Sequence, residues 1–369
     1  MDNSAPLIEL LTGLITTQAQ DGSLDGSILQ ELEQATLADQ ARAQAFGITR
    51  ETAGQVVRDR LQLFRAVYHQ FIPFCQHRLG WAVHDSQARL DTLWSLWLPL
   101  AMQLVADRQT LGRPLVQGIL GGQGTGKTTL AAILTLILNQ LGYRVCELSI
   151  DDLYKTYADR QVLQAQDARL KWRGPPGTHD VDLGLSVLQQ LRQADPQTPI
   201  AIPRFDKSLH NGAGDRAEPM MISGADIVLF EGWFVGTRPV DPQVFDTAPE
   251  PISTESDRQF ARDINQALQA YLPLWEQLDR LMVLSPTDYR LSQQWRREAE
   301  QRMKASGRSG MSDADIDAFV LYFWRSLHPE LFITPMCHQC DYVDLVIEIQ
   351  PNHAPGRVYC PQHLPSDGG

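Results

Sequence analysis

The segment Gly121-Gly122-Gln123-Gly124-Thr125-Gly126-Lys127-Thr128 constrains this chain more than any other. It fits the GxxxxGK[ST] pattern of a P-loop, is followed by a second threonine at Thr129, and has flanks that agree with its chemistry. An apolar stretch at 115–120 leads in as a strand. A helix leads out with Leu130, Ile133, Leu134, Ile137 and Leu141 on its buried side. Glycines let successive backbone N–H groups turn toward one anion, and the helix N-terminus adds its dipole. Lys127 would reach the β- and γ-phosphates of ATP, and the Thr128 hydroxyl would hold Mg²⁺. The predicted nucleotide-binding set is Gly121, Gly122, Gln123, Gly124, Thr125, Gly126, Lys127, Thr128 and Thr129.

From Arg113 onward, short apolar strands alternate with helices, which is the pattern of a parallel α/β sheet. The predicted strands are 115–120, 144–150, 200–202, 226–230, 280–284 and 343–349. A long insertion rich in Pro and Asp, 239–256, is followed by a helix over 260–272. Residues 1–110 show no strand. They read as helices over 28–46, 55–71 and 92–107, the last anchored by Trp94, Trp97, Leu98 and Met102 and kinked at Pro99. The tryptophans fit core packing better than a stacking platform for bases or sugars. The division expected is an N-terminal helical region over 1–110, packed on a P-loop domain over 111–369. Between Ser292 and Ser326 the chain is polar and rich in Arg, with Gly307 and Gly310 inside it. It suits a mobile lid, about 290–326, over a site. The predicted fold class is α/β: a P-loop NTPase-type parallel sheet flanked by helices, with a helical extension and an Arg-rich lid.

Bulk properties narrow the function classes. A net charge of −12 argues against a nucleic-acid coat or a membrane-surface protein, whose contact faces are usually basic. No apolar run approaches the roughly 20 residues of a membrane span. The first eleven residues contain Asp2 and Glu9 and no Lys or Arg, unlike a secretory signal or a transit peptide. Five cysteines in 369 residues are no disulfide scaffold and suit a reducing, cytoplasmic setting. Cys337-His338-Gln339-Cys340, with His353, Cys360 and His363 downstream, has spacing that zinc would accept, but a predicted strand intervenes. Surface thiols are the alternative.

A P-loop alone does not separate kinases from other nucleotide hydrolases. After the second strand, Ser149-Ile150-Asp151-Asp152-Leu153-Tyr154 puts two carboxylates at a strand's C-terminal edge, where open parallel sheets bind ligands. Asp151, at the end of a strand expected to neighbour that of the P-loop, could take the proton of an attacking hydroxyl. A helix N-cap is the other use for such a residue. Leu229-Phe230-Glu231-Gly232-Trp233 ends the fourth strand in an acid, a candidate for the metal shell or a plain strand-end glutamate. Two polar loops lie between these strands, 171–180 and 203–212, followed by Asp215 and Arg216. An acceptor that is itself an acid needs cations for its carboxylate and polar partners for its hydroxyls. Arg173, Arg204 and Lys207 are the candidate cations, with His179, Asp180 and Asp206 beside them. Solvated loops with internal Asp–Arg pairs are the alternative.

Together these motifs resemble the glycerate kinase family, a branch of the phosphoribulokinase, uridine kinase and pantothenate kinase group. The likeness covers residues 80–355. It is sharpest in the P-loop, Ser149 to Tyr154, the PPGTHD run ending at Asp180, the DKSLHNG run starting at Asp206, and Glu231-Gly232-Trp233. The resemblance implies transfer of the ATP γ-phosphate to the 3-hydroxyl of D-glycerate, with ATP and Mg²⁺ as cofactors and no nucleic-acid or membrane partner. It assigns Asp151 as base, Glu231 to magnesium and Arg296 to a phosphate, with Arg297, Arg302 and Arg308 as neighbours of unassigned role. The family's tyrosine in the second polar loop is Phe205 here, which removes a hydroxyl. The alternatives are the same architecture acting on pantothenate or a nucleoside, and a nucleotide-sensing regulatory ATPase.

Overall fold

The computed structural model describes Leu11, Gly13 and residues 26–193, 198–305 and 311–364. Six strands form one sheet in the order β2-β5-β1-β6-β7-β8. They are β1 (Leu115–Gly121), β2 (Val145–Ser149), β5 (Ile227–Gly232), β6 (Arg280–Pro286), β7 (Leu345–Ile349) and β8 (Pro355–Tyr359). All neighbours run parallel except β7 and β8. The central strand β1 is buried at every position, as expected of a strand covered by helices on both faces.

Three expectations change. The third predicted strand is longer, β3 (Ile200–Asp206), and pairs antiparallel with β4 (Asp215–Ile222) in a separate two-stranded sheet. Most of β4 is exposed, so it lacks the apolar alternation that marks a strand in sequence. Second, β2 does not neighbour β1, because β5 lies between them. Third, β8 went unpredicted: it is a short edge strand with a proline at its first position.

The helical region is also cut differently. The predicted helix 28–46 is two, Gly26–Ala38 and Gln40–Ala45, because Asp39 turns its carboxylate back to cap Arg42 N–H at 3.0 Å. The second runs further, Ala53–Leu79, through Pro73. Ahead of Pro99 the helix widens into a π-turn over Leu93–Trp97, and Leu98 N–H bonds Leu93 O. Trp94 is 2% exposed, edge-on to Phe64, with Arg60 over its face. One apolar cluster runs without a break from Leu32, Phe64 and Trp94 to Leu115, Ile119 and Ile133. The P-loop helix, Lys127–Gln140, ends before Leu141, which is exposed rather than buried.

The described part of the segment predicted as a lid is two helices, Leu291–Ala305 and Asp313–Ser326. Gly307, Arg308 and Gly310 lie outside the described residues. The root of the first helix is fixed on the P-loop. Trp295 is 1% exposed, and a Cβ at Gly124, whose φ is +79°, would lie 2.6 Å from Trp295 Cβ. Among the described residues no helix is long and apolar enough to cross a membrane, and no group of three His, Cys, Asp or Glu side chains is placed to hold a metal. The thiols are not surface groups as a set: Cys340 is exposed, whereas Cys337 and Cys360 are buried.

Candidate active site

The C-terminal ends of β1, β5 and β2 bring the predicted chemistry together. Glu231 pairs in register with Ile119 on one side and Ser149 on the other, so the acid of β5 stands between the P-loop and Asp151. Lys127 Nζ donates to Gly122 O at 2.9 Å, and Thr125 Oγ1 donates to the same oxygen at 2.9 Å, which ties the loop into a ring. Burial lowers the Lys127 pKa, and the charges of Glu231 and Asp151 oppose that shift. Thr128 Oγ1 donates to Glu231 Oε1 at 3.2 Å. A hydroxyl and a carboxylate oxygen thus meet at the mouth of the P-loop, a hard-oxygen donor set of the kind Mg²⁺ takes.

One side of the P-loop opens on a cavity of about 370 Å³. Gly124 to Leu130 form one wall, and Trp81, Arg89, Arg302 and His353 another. His353 stacks on Trp295 at 4.6 Å. The helix arginine on this cavity is therefore Arg302. The guanidinium of Arg296 meets Glu300 at 3.3 Å and the Met311 sulfur at 3.8 Å, and lies over Phe319. Arg297 forms a two-pronged pair with Asp317.

The two neighbouring aspartates have separate surroundings. Asp152 caps the turn that follows β2, accepting Ser149 N–H at 3.1 Å, and holds Arg204 at 3.1 Å. Burial raises its pKa. Asp151 takes no part in that cap through its carboxylate. Its Oδ2 lies 2.5 Å from Lys207 Nζ. Burial pushes the Asp151 carboxyl up, but the Lys207 charge and hydrogen bond outweigh it and hold the group below the usual carboxylate range. The N-cap itself is Ser149, and Asp152 closes its capping box, so the capping use falls to Asp152 and not to Asp151, a distinction the sequence left open.

The polar loops divide likewise. Lys207 is the loop cation on Asp151. Arg173 Nη1 donates to Gly212 O at 2.7 Å and Ala213 O at 3.0 Å, and its guanidinium lies over the Tyr154 and Phe205 rings. Arg204 is committed to Asp152, Pro203 O and Glu147 O. Asp180 caps the helix Val181–Gln193 at Leu183 N–H and pairs with Arg216 at 2.6 Å. Asp206 holds Ser208 through its N–H and hydroxyl. Phe205 is edge-on to Tyr154 at 5.0 Å, so the missing hydroxyl leaves an apolar wall.

Three residues of this region were not singled out from sequence. Arg160 is 7% exposed and binds Lys155 O, Ala213 O and Gly214 O, pinning the hairpin turn. It is the buried residue of an otherwise polar helix, Tyr157–Gln166, which has no local pattern to mark it. Tyr154 closed a recognised motif, but only the fold stacks its ring on His179 and sets it edge-on to Phe205. Tyr271 comes from a segment 92 residues beyond His179, with no local pattern to mark it.

The geometry agrees with the comparisons. The Phosphoribulokinase / Uridine kinase family profile matches residues 116–244. An uncharacterized kinase of Schizosaccharomyces pombe is 30% identical over 241 residues, covering 61% of this chain and 87% of the relative. The chloroplastic D-glycerate 3-kinase of Arabidopsis thaliana is 31% identical over 216 residues, covering 56% of this chain and 45% of the plant protein. Among solved structures, the D-glycerate 3-kinase of Cryptococcus neoformans superposes with a TM-score of 0.63 at 26% identity, over 72% of this chain and 99% of that one. A P-loop closed by its own lysine, an acid between it and a turn aspartate, and a kinase relative matched over 87% of its length lead to one assignment: the chain belongs to the phosphoribulokinase/uridine kinase family, as a P-loop kinase of the glycerate kinase type.

Proposed function

We propose that this kinase phosphorylates D-glycerate at its 3-hydroxyl, giving 3-phosphoglycerate and ADP. The observation that carries the reading is the Lys207–Asp151 contact, which puts a loop cation on the carboxylate best placed to serve as base. The names of the plant and fungal relatives support it. Lys207 is mostly exposed and stands on the turn after β3, so it can change partner. An acceptor carboxylate that takes Lys207 leaves Asp151 free to accept the hydroxyl proton. Arg173 lines the same corner and supplies a second cation. Lys127 and the P-loop amides hold the γ-phosphate in line with the attacking oxygen. Mg²⁺, bound by Thr128 and Glu231, would neutralise charge on the phosphates.

The direct test is ADP release with D-glycerate, L-glycerate, pantothenate and uridine, with the phosphorylated product identified. Preferred turnover of uridine or pantothenate overturns the acceptor. Hydrolysis stimulated by a macromolecule and by none of the four overturns the reaction class.

Two variants test the site. Lys207→Ala is expected to lower kcat/KM for D-glycerate by about one to two decades, the loss of a charge-assisted contact, with the KM for ATP nearly unchanged. Unchanged glycerate kinetics in both Lys207→Ala and Arg173→Ala would move the anion site elsewhere. Glu231→Gln is expected to shift the magnesium titration to higher concentration more than it shifts the KM for glycerate, because it removes a formal charge next to Thr128. An unaltered magnesium titration would take Glu231 out of the metal shell.

A further inference from the structure

His179 is 2% exposed, and only one of its ring nitrogens has a partner. Nδ1 lies 2.9 Å from the Tyr271 hydroxyl. Nε2 is buried with no hydrogen-bond partner among the described residues. Buried polar atoms are nearly always paired, so an orphan next to a candidate base asks for a reason.

The hydrogen bonds around Tyr271 fix which nitrogen of the ring carries the proton. Gly177 N–H donates to the Tyr271 oxygen at 2.9 Å. Tyr271 is 1% exposed, and its single hydroxyl hydrogen has His179 Nδ1 as its acceptor. Nδ1 therefore accepts, and in a neutral imidazole the proton then lies on Nε2. An imidazolium would set two donors, Gly177 N–H and Nδ1–H, against one buried hydroxyl and leave that hydroxyl's own hydrogen unbonded. Burial acts the same way and lowers the His179 pKa to about 3, with the Asp151 charge opposing it.

With Nδ1 occupied by Tyr271, Nε2 is the nitrogen left for a further partner, and Asp151 is close enough for its charge to act on the ring. The ring also stacks at 4.5 Å on Tyr154, the residue that ends the turn carrying Asp151. We propose that His179 Nε2–H is a fixed neutral donor to the acceptor's hydroxyl oxygen, and that Tyr271 is the positioning residue that sets this tautomer. The proposal rests on the reading of Asp151 as base. His179 donates into one lone pair of the hydroxyl and keeps its own proton throughout. The hydroxyl proton passes to Asp151, the second lone pair forms the new O–P bond, and the bond from the γ-phosphorus to the bridging oxygen breaks as ADP leaves.

The test has a spectroscopic arm and a kinetic arm. Nitrogen-15 correlation spectra of histidine-labelled wild-type protein between pH 5 and pH 8 should show His179 neutral and protonated at Nε2. Tyr271→Phe should mix the two tautomers and lower kcat about tenfold, the worth of one ordinary hydrogen bond, with the KM for ATP little changed. Kinetics are run with whichever acceptor of the panel is turned over best, so a wrong acceptor and a wrong donor give different results. His179→Gln places an amide nitrogen near the Nε2 position and should retain more activity than His179→Leu; folding of both is checked by circular dichroism. A wild-type spectrum showing Nδ1–H or imidazolium overturns the tautomer. Equal losses in folded Gln and Leu variants overturn the donor role.

Discussion

Asp151→Asn is expected to lower kcat by about two to four decades, the usual worth of general-base assistance, while ATP binding survives. Asparagine keeps the size of the side chain and can still meet Lys207, but it cannot take a proton. Asp152→Asn is the control. That carboxylate caps the turn and holds Arg204, so its loss should appear in thermal stability before it appears in turnover. Turnover is measured at saturating Mg²⁺ so that a change in metal affinity does not enter. A greater kcat loss in Asp152→Asn than in Asp151→Asn would move the base by one residue. The pH dependence carries a sign that can be checked as well. Lys207 holds Asp151 below the usual carboxylate range against the upward push of burial. The base is then ionised across the neutral range, and activity falls only as pH drops through its lowered pKa. In Lys207→Ala the opposing burial effect is left uncompensated, and the acid limb of kcat/KM should move to higher pH. An acid limb that stays in place would separate Lys207 from the titration of the base.

Lys127→Met is expected to lower kcat/KM for ATP by about two to three decades, comparable to removing one preorganised donor from a transition state. Methionine keeps much of the volume, so the helix start is not emptied. The Nζ that bonds Gly122 O at 2.9 Å would be lost from the ring that shapes the loop, together with the positive charge between Glu231 and Asp151. Thr128→Ala should give a smaller loss, visible chiefly as weaker magnesium dependence. Calorimetric titration with ATP and with ADP separates the two effects, because the lysine of a P-loop reaches the β- and γ-phosphates. Wild-type turnover by Lys127→Met at low ATP would remove the P-loop from the reaction.

Much of this site could be read along the chain because its parts are continuous. The P-loop is eight consecutive residues whose function lies in backbone freedom and one helix start, so strand, glycines, lysine and hydroxyl are all legible in order. Glu231 follows four apolar residues of β5, and its place at a strand end follows from that run. The acid pair at Asp151 and Asp152 was visible, but their division of labour was not. It depends on which carboxylate the turn points back at Ser149 N–H and which it leaves for Lys207.

The sequence by itself determined the phosphate cradle, the parallel sheet and the kind of reaction, since each rests on a local pattern of period, spacing or glycine. Only the tertiary structure decided the order of the strands, with β5 between β1 and β2, and the removal of β3 to a separate hairpin. It also decided which loop cation meets which aspartate: Lys207 pairs with Asp151, and Arg204 with Asp152. The proton position on His179 is the furthest from sequence, because it follows from a tyrosine 92 residues away and a glycine amide that fold onto one imidazole. The physical reason is common to all of these: a hydrogen bond or an ion pair needs two groups within about 3 Å and properly aimed, and chain order does not encode that distance for groups on different strands.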